Sequence, residues 1–231
     1  MSATARMTGW AAIAYAIIYI GAFVSNILLS MLGPALGVRY RTPDQMTADL
    51  LGGDVGAISF ALLGAALIVV AIGLRRLIWG DASIAGAAAS SVGVIAGAGL
   101  MLAGAAIGAA RGFAANDLAA TGADIATQRA VVQGGSLVVN AATLLASLAM
   151  LIWLSSVAIV ARKEGTFSAP LIAATWLTAL APFASFALTG FPFGLIVTIP
   201  YAAVLGISLV RRGRRLAATA AAATAPAASA A

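Results

Sequence analysis

The chain has no cysteine and no histidine, and charge is scarce, with 13 Lys and Arg and 7 Asp and Glu among 231 residues. Each absence removes chemistry. Without cysteine there is no disulfide, no thiol nucleophile and no thiolate metal site. Without histidine as well, haem, iron–sulfur and the usual zinc ligation lose their ligands, so no cofactor and no metal is expected. A serine–histidine dyad is excluded on the same ground.

The few charges are also confined. Residues 7–38, 55–74, 82–110, 130–161 and 165–210 contain no Asp, Glu, Lys or Arg. A helix needs ~20 apolar residues to cross a hydrocarbon core. The first four runs each hold one crossing. The fifth, with 46 residues, holds two, divided at Gly190-Phe191-Pro192. There Gly stops one helix and Pro suits the first turn of the next. Ser168 with Pro170 marks the start of the fifth helix in the same way. The fold class is therefore an all-α membrane protein. It is a six-transmembrane-helix bundle with spans near 9–32, 55–78, 83–110, 130–160, 169–189 and 192–210. One domain covers 1–210, and 211–231 is a basic cluster with an Ala/Thr-rich, low-complexity tail. The run from Trp10 to Leu32 is longer than the ~7–15 apolar residues of a signal peptide and reads as a retained first span.

Basic residues set the expected orientation. Arg6, Arg75, Arg76, Arg162, Lys163, Arg211, Arg212, Arg214 and Arg215 fall on one side, nine against four (Arg39, Arg41, Arg111, Arg129) on the other. The positive-inside rule puts the nine, and with them both termini, in the cytoplasm. The net charge of +6 then reads as topogenic and headgroup-facing, with no nucleic acid partner implied. Arg211, Arg212, Arg214 and Arg215 are candidates for holding anionic lipid. Protein partners are left open. In the first outer loop, Thr42-Pro43-Asp44-Gln45 predicts a short helix near 43–51, lying on the outer membrane surface.

Two side-chain stripes stand out. On the third span, Gly93, Gly97, Gly104 and Gly108, with Gly86 and Ser90, form a helix-packing face. Gly56, Ser59, Ala66 and Gly73 make a weaker one on the second span. On the fourth, Gln133, Ser136, Asn140, Thr143 and Ser147 recur at spacings of three and four, which puts them on one face. A lipid-facing amide is costly, so this face is predicted to point inward. Asn26, beside Ser25, offers a partner on the first span, and Thr175, Thr178, Ser185 and Thr189 offer more on the fifth. Asn26, Gln133, Asn140, Thr143 and Ser147 thus form either interhelical hydrogen bonds or the lining of a polar ligand cavity. Pro182 and Pro200 are predicted to kink the fifth and sixth helices, and Gly134-Gly135 to bend the fourth.

Gly9-Trp10-Ala11-Ala12-Ile13-Ala14-Tyr15 opens the first span, Leu151-Ile152-Trp153-Leu154 closes the fourth, and Arg162-Lys163-Glu164-Gly165 forms a basic turn before the fifth. In these segments and in the layout of residues 9–210 the chain resembles a bacterial six-span integral membrane family of unknown function. The resemblance implies a cytoplasmic-membrane location and brings no activity or site residue. No Asp, Glu, Lys, Arg or His falls mid-span, where coupled transporters keep theirs. The leading reading is a non-enzymatic multi-pass protein whose polar seam is structural or binds a neutral or lipid-like ligand. The alternative is a small uncoupled transporter or accessory permease subunit. A third is a membrane enzyme with an outer-loop site at Asp44, Asp49 or Asp54.

Overall fold

The structure, a computed structural model, describes residues 2–32, 54–112, 121–122, 124–189 and 193–224. Six helices run through it: α1 (Ser2–Leu32), α2 (Asp54–Ile78), α3 (Ile84–Gly112), α4 (Ile125–Lys163), α5 (Ala169–Thr189) and α6 (Thr198–Thr224). A 3-10 helix, Phe193–Val197, leads into α6. Each of the six contains a stretch long and apolar enough to cross a membrane. The surface helix expected near 43–51 lies outside the described residues.

Local chemistry explains the helix ends. Ser83 Oγ accepts the Gly86 N–H (3.0 Å) at the start of α3. Asp124 Oδ1 accepts the Thr127 N–H (2.7 Å) at the start of α4. Gly165, at φ +60°, takes the left-handed conformation that lets the chain turn from α4 towards α5. The sixth helix differs from expectation at both ends. It begins at Thr198, so Pro200 sits in its first turn and interrupts nothing. It then continues through Arg211–Arg215 to Thr224. Pro182 does lie inside α5. Nearby, Ser185 Oγ donates to the Pro182 carbonyl (2.9 Å) and accepts the Gly194 N–H (2.8 Å), tying the 3-10 helix to the turn of α5 that holds the proline.

Sequential helices pack side by side and antiparallel, from α1 through α5, and α6 returns to lie along α1. The seam between α5 and α6 is closed largely by the 3-10 helix. Glycine sets the spacing. A Cβ on Gly9 would stand 2.7 Å from the Gly206 carbonyl oxygen, and one on Gly206 would stand 2.6 Å from that of Gly9. Gly64 and Gly97 are opposed in the same way between α2 and α3, where a Cβ on Gly97 would lie 2.6 Å from the Gly64 oxygen. Gly104 faces the Ala57 carbonyl, and Gly93 leaves room for the Trp153 ring, whose Cδ2 would be 2.9 Å from a Cβ there. On the other side of Gly104, Gly108 is looser, with its nearest contact at 3.4 Å. At Gly73 a methyl would collide with the buried Thr8 hydroxyl.

The outer faces carry Ile17, Leu62, Ile152 and Leu188, all well exposed. Water would penalise such a belt, whereas lipid matches it. The antiparallel order brings the basic residues of α1, α2, α4 and α6 to one end. There Arg6 packs on Gly213 and Arg212 reaches towards the Thr166 carbonyl at 3.5 Å.

Gly9→Ala and Gly206→Ala should each destabilise the bundle by about 1–3 kcal/mol, the range for overpacking. Gly21→Ala, with open space around it, should be neutral or stabilising. Thermal unfolding in detergent checks this contrast. A second expectation concerns Asp124, whose carboxyl is held below the usual range by the Thr127 backbone N–H and then by the Thr127 hydroxyl. A depressed folded pKa means the cap's contribution is complete above the unfolded pKa. It is lost as pH falls through the folded one. Asp124→Asn still caps without titrating, so it should flatten the acid limb of the melting-point profile.

Candidate functional site

Depth along α4 sorts its polar face. Helices rise 1.5 Å per residue, so Asn140 stands ~33 Å from Arg162, beyond a hydrocarbon core of ~30 Å. Gln133 lies ~10 Å further out again. Their environments agree: Gln133 is exposed and Asn140 half-buried, whereas Thr143 and Ser147 are buried. The amides therefore stand at the far end of the helix from Arg162, and the buried part of the face is Thr143 and Ser147. Thr143 donates to the Val139 carbonyl (2.9 Å) and Ser147 to that of Thr143 (2.8 Å). Both hydroxyls are satisfied by their own helix, so neither depends on a neighbour or a ligand. The side chain of Asn26 lies outside the described residues. So do Asp44 and Asp49, and the side chain of Asp54.

Two tyrosines form hydrogen bonds between helices. Tyr15 on α1 meets Thr198 on α6, with 3.1 Å between the oxygens. Thr198 spends its single proton on the Leu195 carbonyl (2.6 Å), so Tyr15 must be the donor. Tyr201 on α6 meets Thr175 on α5 at 3.3 Å, and Thr175 also bonds the Leu171 carbonyl at 2.7 Å. Tyr15 is nine residues from Arg6 and Tyr201 ten from Arg211, which puts both rings ~15 Å from the basic end, near the midplane.

Trp153, nine residues from Arg162, enters this layer from α4 and is 1% exposed. Among the described residues its indole N–H is buried without a hydrogen-bond partner. Such a donor costs roughly 1–3 kcal/mol, so the ring's packing against Gly93 and Ala71 has to outweigh it. Between Trp153, Tyr15, Thr178 and Tyr201, with Leu67 and Leu154, lies a cavity of about 30 Å³. Its walls are carbon. That is room for about one water, without the two to four polar partners a water needs. It is far below the ~300 Å³ at which organic ligands begin to fit.

Among the described residues this layer is tightly packed, and the Tyr15 and Tyr201 hydroxyls face Thr198 and Thr175. Three of these features are missed when polarity is scored by amides and hydroxyl stripes: Tyr15, Tyr201 and Trp153. A usable signal was present, because tyrosine and tryptophan favour membrane interfaces. Here they sit mid-run. Among the described residues no group of three or more acidic side chains could hold a metal ion. Comparison with family models, curated proteins and solved structures finds no match.

Tyr15→Phe and Tyr201→Phe should each lower stability by about 0.6–2 kcal/mol, the range for one interhelical hydrogen bond in lipid. The two losses should be similar, because Thr198 keeps its bond to Leu195 and Thr175 its bond to Leu171. Unfolding of the two variants in mixed micelles measures both losses.

Proposed function

We propose that this chain is a non-enzymatic multi-pass protein of the bacterial cytoplasmic membrane, with both termini in the cytoplasm. It acts as a closed scaffold through its surfaces, and its polar seam is structural. The tightly packed midplane and the self-bonded hydroxyls of α4 carry this reading. Tyr15 and Tyr201 bond inside the protein, Thr143 and Ser147 bond their own helix, and the central cavity holds no more than one water. The gathering of basic residues at one end supports the orientation. Arg211, Arg212, Arg214 and Arg215 on α6 project past the apolar part of that helix and are placed to meet anionic headgroups. The resemblance of the opening span and the basic turn to a six-span bacterial family supports the same membrane.

A second reading, a small uncoupled transporter, draws on one observation. The 3-10 helix and Pro182 interrupt the helical ladder beside α5, and interrupted helices form the binding sites of many transporters. That reading requires the Trp153–Tyr15–Tyr201 layer to part.

The absence of native cysteine makes the test direct. In intact cells an impermeant thiol reagent should label Ala120→Cys, which the sequence places outside, and spare Thr178→Cys at the midplane. Thr219→Cys should label only after permeabilisation. Labelling of Thr178→Cys from outside would replace the scaffold reading with the transporter. Labelling of Thr219→Cys in intact cells would reverse the orientation. Asn140→Cys does not discriminate, because its depth alone admits water.

A further inference from the structure

The flank of the bundle at its basic end carries a groove of about 240 Å³ between α1 and α2. Ala3, Thr4, Met7, Val69, Ile72 and Gly73 line it, and Arg76 stands at one end. From Arg76 through Ile72 to Val69 the groove runs ~10 Å along α2, from the charged end into the apolar belt. Met7 and Ile72 are exposed on its lips, so it opens sideways, towards lipid. The Gly73 floor is sealed by Thr8, whose hydroxyl donates to the Thr4 carbonyl at 2.8 Å.

Charge identifies the occupant. This end gathers nine basic residues against Asp81 and Glu164. Asp81 pairs with Arg76 through Nε at 3.2 Å, and both side chains are more than half exposed. An ion pair of that kind contributes little and yields readily to a better anion. The guanidinium fork matches a phosphodiester.

We propose that this groove seats one anionic phospholipid, its acyl chain on Met7, Val69 and Ile72 and its phosphate on Arg76. The proposal rests on the membrane-embedded reading above. It differs from a diffuse basic surface because it joins one arginine to one apolar channel. A zwitterionic lipid brings its own cation to the phosphate, so the seat discriminates against it.

Native mass spectrometry of the protein in detergent containing phosphatidylglycerol and phosphatidylcholine tests the seat. The wild type should retain phosphatidylglycerol preferentially. Arg76→Gln should lower that retention about fivefold, the weight of one basic contact at a membrane surface. Ile72→Trp, which fills the groove without touching charge, should lower it as well. Asp81→Asn breaks the same ion pair and should leave retention intact. Arg162→Gln, at the same end but outside the groove, should also leave it intact, and excess inorganic phosphate should not displace the lipid. The proposal is overturned if Arg162→Gln or Asp81→Asn costs as much as Arg76→Gln, if neither groove variant has an effect, or if phosphate competes. Carbonate washing of membranes tests the parent reading separately. Release of the protein would overturn both ideas, whereas a retained protein with no groove effect overturns the lipid seat alone.

Discussion

Helices in lipid gain nothing from burying apolar surface against one another, because the acyl chains they leave are equally apolar. Association then depends on how closely backbones can approach. In this bundle the approach is set by glycines opposed to carbonyls: Gly9 with Gly206, Gly64 with Gly97, and Gly104 with Ala57. Each contact leaves no room for a methyl group. Everything else in the bundle inherits that spacing. Trp153 reaches the centre because Gly93 lacks a side chain, and Thr8 fits between α1 and α2 because Gly73 does.

Close approach also decides what the midplane can contain. With the backbones this near, side chains of α1, α4, α5 and α6 meet in one layer and almost fill it. Polar atoms in that layer have little access to water, so Thr175 and Thr178 turn to carbonyls of their own helix, and the tyrosines bridge to threonines. The exception is the Trp153 N–H, which is left unpaired in exchange for packing volume.

The two ends of the bundle differ for an electrostatic reason. Alternating antiparallel helices send the basic termini of α1, α2 and α4 and the basic half of α6 to the same end. Between α1 and α2 the apolar belt and this charged end meet in one lateral groove, which lies where a lipid carries both of its own characters.

Much of this is legible from the residues alone. Five uncharged runs dictate six spans because a charge inside the hydrocarbon core is too costly to place freely, and length in residues converts directly into membrane thickness. The biased distribution of arginine follows the same arithmetic. The candidate site is less legible. Periodicity puts Gln133, Asn140, Thr143 and Ser147 on one face but is silent on their depth, and depth separates the exposed Gln133 from the buried Ser147. The stripe on α3 marks glycines that pack, yet not that Gly97 meets Gly64, nor that Gly9 and Gly206 oppose each other from sites almost two hundred residues apart. Tyr15 and Tyr201 likewise gain their meaning only from Thr198 and Thr175. Composition along the chain is enough to make it a helical bundle for lipid, because solvent preference is a property of single residues summed over a window. Which helices touch, which polar atoms meet and where a groove is left were decided by the tertiary structure, because those are properties of pairs.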